Sequence, residues 1–424
     1  MANGKAMTVG EMASLFLDPA TPDRIDAFDG SHFGPADADL KVNIATPNCM
    51  YQLLAHPNEI GIVRAYILGD FDVEGIDYAD PYPAMRKLIS LSKYVKPLTP
   101  ASIARVSAGI LSHGFKKPPV PSTEGPSKFA RIKRGLMPHT EKADSETVSF
   151  HYDMSNEFYA DFLGPSMTYT CAVFDNEHMS LEDAQANKLR LILDKLDLKP
   201  GERLLDIGCG WGFLLIEAAK KYKVHGTGIT LSYEQYTEFQ KRIKDQGLED
   251  YLTVELMDYR DLPKHNYQFD RVVSVGMLEH VGRDNYQLFL DCVEKVLKPG
   301  GLFLLHFISA LKEHPGDPWI KKYIFPGGTV PSLREILNHM AEDNFHTLDI
   351  ENLRLHYNKT LLHWEKNFRE NIEKEKTMFD ESFLRMWELY LSACAATFHN
   401  GIIDLHQILM TKGINNDLPM TRWY

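Results

Sequence analysis

Cysteine is scarce in this chain. Five residues in 424 (Cys49, Cys171, Cys209, Cys292 and Cys394) are scattered, odd in number and form no Cys-x-x-Cys pair. That pattern argues against a disulfide framework or a structural zinc site and predicts reduced thiols. Long hydrophobic runs are also missing: none could span a bilayer, and the N-terminus has no secretory h-region. The expectation is a cytoplasmic protein. There is no internal repeat and no long low-complexity tract. A formal net charge of −12 argues against a nucleic-acid binder. With 44% hydrophobic and 25% charged residues, the composition is that of a globular protein long enough for two domains.

The charge is unevenly spread. Residues 84–134 hold eleven Lys and Arg (Arg86, Lys87, Lys93, Lys96, Arg105, Lys116, Lys117, Lys128, Arg131, Lys133, Arg134) against one acid, Glu124. A basic stretch in an acidic protein points to a polyanionic surface as partner. Over residues 84–112 the charges alternate with apolar groups such as Leu88, Val95, Ile103, Val106 and Leu111, as on a helix lying against an anionic membrane. A solvated helix pair beside a linker is the competing reading. Residues 114–127 contain Pro118, Pro119, Pro121 and Pro126 and read as an exposed linker. The division is therefore a membrane-associating domain over 1–113, a linker over 114–140 and a catalytic domain over 141–424. Upstream, residues 53–71 read as strand-rich.

What the sequence does contain is a glycine turn. Leu204-Leu205-Asp206-Ile207 runs into Gly208-Cys209-Gly210-Trp211-Gly212 and then Phe213-Leu214-Leu215-Ile216-Glu217-Ala218-Ala219. An apolar strand stops at a turn where the backbone can approach a ligand, and a helix begins with free amide donors. The spacing Gly-x-Gly-x-Gly departs from the dinucleotide fingerprint, because Phe213 occupies the place of its last glycine. This favours S-adenosylmethionine over NAD. Further apolar runs at 224–230, 251–256, 269–275 and 302–305, alternating with helical segments, predict a doubly wound parallel sheet. Ligands bind outside the carboxyl ends of such strands, so Thr230, Asp258, Glu279 and His306 should face one crevice.

The place after the second strand, where an acid often meets a ribose diol, holds Thr230, and Gln235 could supply that contact. A helix cap and a surface amide are the plain alternatives for these two. Asp258 and Tyr259 stand where adenine would lie. Glu279 and His280 follow the fourth strand, where a transferred methyl must be delivered. His306, alone in an apolar strand, reads equally as a core residue.

Beyond these features, Phe150-His151-Tyr152-Asp153-Met154-Ser155-Asn156-Glu157-Phe158-Tyr159, Met167-Thr168-Tyr169-Thr170-Cys171-Ala172-Val173-Phe174, the glycine turn, Ile229-Thr230-Leu231-Ser232-Tyr233-Glu234-Gln235 and Leu278-Glu279-His280-Val281 together resemble the cyclopropane fatty acid synthases. Gly69-Asp70-Phe71-Asp72-Val73-Glu74 resembles a segment of the phospholipid-modifying branch. Thr170 replaces the family's usual serine, and Val173 its aromatic.

The resemblance implies an α/β fold of the class I S-adenosylmethionine methyltransferase type, a Rossmann-like doubly wound sheet with a smaller N-terminal α+β domain. It implies methylene transfer to a cis double bond of a phospholipid acyl chain, with a bound bicarbonate taking the proton whose loss closes the ring. It assigns Cys171, Glu279, His306, the backbone of Ile308 and Tyr357 to the reacting site. Tyr169, Thr170, Asp206, Gly208, Gly210, Gly212, Thr230, Gln235, Asp258 and Tyr259 fall to the cofactor. The expected partners are unsaturated membrane phospholipid, the anionic inner membrane face and a second copy of the protein as a homodimer. The competing functions are an amine N-methyltransferase, another methyltransferase acting on carbon atoms of acyl chains, and a non-catalytic S-adenosylmethionine sensor at the membrane.

Overall fold

The structure, a computed structural model, describes residues 7–56, 58–74, 83, 94–97, 99–114, 116–124, 156–314 and 316–424. The motif at 150–155, seven of the eleven Lys and Arg of the basic stretch and the linker beyond 124 lie outside the described residues. The chain divides into two compact units: Met1–Lys128 with Arg369–Asn400, and Phe129–Phe368 with Gly401–Tyr424.

The first unit is α+β. In sequence order it contains α1 (Val9–Phe16), β1 (Arg24–Ala27), β2 (His32–Phe33), β3 (Lys41–Ile44), α2 (Asn48–Ala55), α3 (Glu59–Ile67), β4 (Phe71–Glu74) and α4 (Pro100–Ser112). Its sheet has the order β2-β1-β3-β4. The strand-rich reading of residues 53–71 is overturned, since most of that segment is helical. Asn58 caps α3 by accepting from the Ile60 amide, and the face carrying Val63 and Ile67 is buried; β-branched residues here follow the helical period, not the alternating one. Thr99 and Ser102 form the capping box of α4, which buries Gly109 and Ile110 and leaves Ile103 and Leu111 exposed. Glu124, the single acid of the basic stretch, is buried in a bidentate pair with Arg64 at 2.5 and 2.6 Å. The expected catalytic domain over 141–424 is interrupted: helices Ile372–Glu375 and Glu381–His399 belong to the first unit, where Arg385 Nε donates to the Tyr66 carbonyl at 2.9 Å.

The second unit contains α5 (Asn156–Leu163), α6 (Leu181–Lys195), β5 (Arg203–Ile207), α7 (Phe213–Tyr222), β6 (His225–Thr230), α8 (Tyr233–Asp245), β7 (Leu252–Leu256), β8 (Phe269–Val275), α9 (Tyr286–Val296), β9 (Leu297–Ser309), α10 (Pro318–Tyr323), α11 (Leu333–Glu342), β10 (Phe345–Asn352), α12 (Arg354–Glu370) and β11 (Asp404–Lys412). They build a seven-stranded sheet of order β10-β11-β9-β8-β5-β6-β7. The five expected strands are present and parallel, but the sheet is mixed, because β11 runs antiparallel to both β9 and β10. Both faces are covered. Leu205, Phe303 and Leu305 pack with Phe289 and Val293 of α9, while Leu204, Leu302 and Leu304 pack with Ile192 of α6 and Leu215 of α7. Strand alternation puts His306 on the face shared with Leu302 and Leu304, toward α6.

Candidate active site

The glycine turn closes β5. Gly208, Gly210 and Gly212 all have positive φ, at 83°, 55° and 85°. Gly212 caps α7, and a Cβ there would stand 2.1 Å from the ring of Phe239, so only glycine lets α8 pack this close. At Gly210 a Cβ would meet open space, because this residue forms a pocket wall.

That pocket opens at the carboxyl ends of the parallel strands. Of the residues assigned to the cofactor, Tyr169, Thr170, Asp206, Gly208, Gly210, Thr230, Gln235, Asp258 and Tyr259 line it, and Gly212 does not. Thr230 donates its hydroxyl to Gln235 Oε1 at 2.8 Å and accepts from the Ser232 amide; Ser232, not Thr230, caps α8. Gln235 is buried, not a surface amide. Its oxygen accepts from Thr230, and its NH2 is the donor it can offer a ribose hydroxyl. Asp258 accepts from the Arg260 amide at 2.9 Å and pairs with the Arg260 guanidinium, which lies over the ring of Tyr259.

The sequence reading missed α6, whose Lys188, Leu189 and Ile192 line the pocket. Along α6, Gln185, Lys188, Ile192 and Lys195 recur at helical spacing and all are buried. Gln185 donates to the carbonyl of Thr170, and Lys188 Nζ lies 2.8 Å from the Thr170 hydroxyl. Burial draws the Lys188 ammonium down to about 7 and pushes the Asp206 carboxyl up to about 7, with their mutual attraction opposing both shifts. Polar residues at i, i+3 and i+10 on a helix face otherwise turned to the core were the available signal.

The five residues assigned to the reacting site do not line this pocket; they sit beside it. The expectation that Thr230, Asp258, Glu279 and His306 share one crevice holds only for the first two. Gly276, on the pocket wall, donates its amide to the His306 carbonyl at 2.8 Å, and Glu279 follows in the turn Leu278–His280. The Ile308 amide donates to Glu279 Oε1 at 2.6 Å, so it is engaged by the carboxylate and not free for an anion. Glu279 Oε2 and His306 Nε2 are buried and have no partner among the described residues. Burial pushes the Glu279 carboxyl up to about 7 and holds His306 well below its ordinary value. Cys171 donates from its thiol to the Ala172 carbonyl at 3.1 Å and lies 3.9 Å from the Leu353 carbonyl. Burial raises its pKa, so it acts as a thiol donor and not as a thiolate. Tyr357 lies one turn along from Leu353, and its ring meets Trp364, which also packs on Tyr169. Thr360 on α12 accepts from the Ala172 amide, fixing this helix against the Cys171 segment.

Cys171 as a thiol, His306 as a neutral imidazole and Glu279 as a carboxyl titrating near 7 are all buried, and each can exchange a hydrogen bond with a small polar species. No group of His, Cys, Asp and Glu among the described residues could hold a metal ion.

The chain is similar to known proteins. The family described as mycolic acid cyclopropane synthetase matches residues 139–408. A "Probable fatty acid methyltransferase" of Mycobacterium tuberculosis is 35% identical over all of both chains. The cyclopropane-fatty-acyl-phospholipid synthase of Escherichia coli is 44% identical over 64% of this chain and 69% of its own. A crystal structure of a mycolic acid cyclopropane synthase complexed with SAH and CTAB superposes with a TM-score of 0.60, at 33% identity, over 65% of this chain and 99% of that one.

Proposed function

Since the protein belongs to the mycolic acid cyclopropane synthetase family, we propose that it delivers a methylene carbon to a cis double bond of unsaturated phospholipid acyl chains, forming a cyclopropane ring. The enzyme is an S-adenosylmethionine-dependent methyltransferase of lipid chains. The cofactor supplies an electrophilic methyl group. The protein must hold a weakly nucleophilic alkene in line with that methyl, exclude water that would trap the resulting cation, and accept one proton.

The observation that carries this reading is the pair of buried polar atoms without partners among the described residues, His306 Nε2 and Glu279 Oε2; Glu279 lies in the turn whose Gly276, Met277 and His280 wall the cofactor pocket, and the His306 carbonyl accepts from the Gly276 amide. Orphaned polar atoms in a dry site are costly unless a ligand completes them. With the Cys171 thiol they fit a small oxyanion such as bicarbonate, which would supply the base for the ring proton. The Tyr357 amide and the Cys171 thiol both approach the Leu353 carbonyl, which supports Tyr357 as the residue that would close the site on that side. Glu279 takes part by sharing a proton, which a carboxyl titrating near 7 can do at neutral pH.

The basic stretch serves as the contact with anionic phospholipid. Among its described residues, Lys96, Arg105, Lys116 and Lys117 accompany exposed Val95, Ile103, Leu111 and Val120. No helix among the described residues is long and apolar enough to cross a membrane.

A second reading is methylation of the lipid without ring closure. It is favoured by the full-length match to a protein named as a fatty acid methyltransferase. Mass spectrometry of lipids from cells expressing the protein separates the two. Ring formation gives chains one methylene heavier and resistant to hydrogenation; added carbon that hydrogenation converts to a methyl branch supports the second reading. Unchanged lipids together with active amine methylation reject both.

A further inference from the structure

His306 has one ring nitrogen in contact and one without a partner. Nδ1 lies 3.0 Å from Gln407 Nε2, and Nε2 is buried with no partner among the described residues. The contact follows from register: Gln407 of β11 stands directly opposite His306 of β9, and Glu351 of β10 directly opposite Gln407. Opposed residues project from the same face of a sheet. Glu351, Gln407 and His306 therefore form a row across three strands. Lys195, at the end of α6, lies against this row. Its Nζ donates to Gln407 Oε1 at 2.9 Å and to Glu351 Oε2 at 2.5 Å, and it stands 5.1 Å from the centre of the Tyr424 ring.

The polarity of this row is forced. An ammonium has donors and no acceptor, so the Gln407 oxygen must face Lys195. The NH2 of the amide then faces His306 and can only donate. Nδ1 must accept, and a neutral imidazole carries its proton on the other nitrogen. Turning the amide over would set two donors against each other at Lys195. Glu351 is 39% exposed at its side chain while Lys195 is 1% exposed, so the row anchors at the surface and ends at the reacting site.

We infer that Lys195 and Gln407 are positioning residues that hold His306 as its Nε2–H tautomer, so that the imidazole meets the reacting site as a hydrogen-bond donor and not as the base. The proton is then accepted elsewhere, at Glu279 or at an anion held beside it. Only the identity of what the Nε2–H group meets rests on the proposed lipid chemistry; the tautomer is readable without substrate.

The test is ring-nitrogen NMR on the full-length protein labelled with ¹⁵N at histidine only, with the His306 signals assigned as those absent from His306→Gln. The wild type is expected to carry the proton on Nε2; a proton on Nδ1 overturns the inference. In Gln407→Glu the new carboxylate accepts from both neighbours, and the proton should exchange to Nδ1. An unchanged tautomer overturns the inference. Lys195→Met frees the amide to rotate and should give a mixture of tautomers, while Lys195→Arg, which keeps a donor, restores the wild-type pattern. In Gln407→Glu, kcat should fall roughly ten- to a hundredfold, as when partners that orient histidines are removed from metal sites, with KM for S-adenosylmethionine unchanged. A switched tautomer with undiminished kcat overturns the positioning role. Absence of lipid turnover in the wild type would instead count against the proposed function and leave the tautomer result intact.

Discussion

The Ile308 amide and the Glu279 carboxylate meet at 2.6 Å, joining the middle of the sheet to the turn after β8. This bond orients a carboxyl whose second oxygen is left buried and unsatisfied. Glu279→Gln keeps the shape and can keep the bond through its amide oxygen, but it cannot share a proton. Turnover is expected to fall by about 10²–10⁴, the range for loss of a general acid–base group. Titration calorimetry should find S-adenosylmethionine affinity nearly unchanged, because Glu279 does not line the cofactor pocket. A collapse in cofactor affinity with residual turnover at saturation would contradict this role.

The same burial makes stability depend on pH. Glu279 and Asp206 titrate near 7 when folded, against ordinary values of 4.5 and 3.8. Between those limits the folded protein binds more protons than the unfolded one, so these groups favour folding at low pH and that contribution is lost as pH rises toward 7. Each whole proton of difference is worth about 1.4 kcal/mol per pH unit. Lys188 acts oppositely above 7: folded, it has lost a proton that the unfolded protein keeps up to its ordinary 10.5, so its penalty shrinks as pH rises. Thermal melts of Glu279→Gln from pH 4.5 to 8 should show a shallower decline than the wild type. Parallel curves would mean the carboxyl is not held protonated.

Two glycines of one turn should behave differently. Gly212→Ala puts a methyl into the Phe239 ring at a left-handed backbone position, and a loss of about 2–4 kcal/mol is expected from strain and overpacking together. Gly210→Ala meets no neighbour and should cost only about 1–2 kcal/mol, yet it thickens the pocket wall and should weaken cofactor binding. Denaturant melts beside calorimetric titration will separate the two; equal stability losses would refute the distinction.

Attachment of the basic stretch to anionic vesicles should weaken steeply with salt, since exposed charges are screened within about 8 Å at physiological ionic strength. Lys116→Glu with Lys117→Glu should reduce sedimentation with vesicles, at roughly 1 kcal/mol per removed cation, without changing the melting curve. Binding that ignores both salt and charge reversal would show that the surface is not electrostatic.

Much of the architecture was legible because it is written in local pattern. The parallel strands announced themselves as apolar runs, and the glycine turn and the Ser232 cap stand within a few residues of what they control. Residues 53–71 misled, because β-branched apolar residues suit both periods and the Asn58 cap was the deciding signal. β11 was not foreseen, nor was the insertion of Arg369–Asn400 into the other unit, since nothing local declares the partner of a helix or the direction of a strand.

From sequence alone came the cofactor class and the fold, and the family resemblance named Cys171, Glu279 and His306 as candidates for the reacting site. What those residues are at neutral pH was decided by tertiary structure. Burial makes Cys171 a thiol and brings Glu279 to the edge of protonation. Gln407 reaches His306 across 101 residues of sequence, and Lys195 reaches Gln407 across 212. Protonation and tautomer depend on desolvation and on which donor faces which acceptor, and only the register of packed strands sets those.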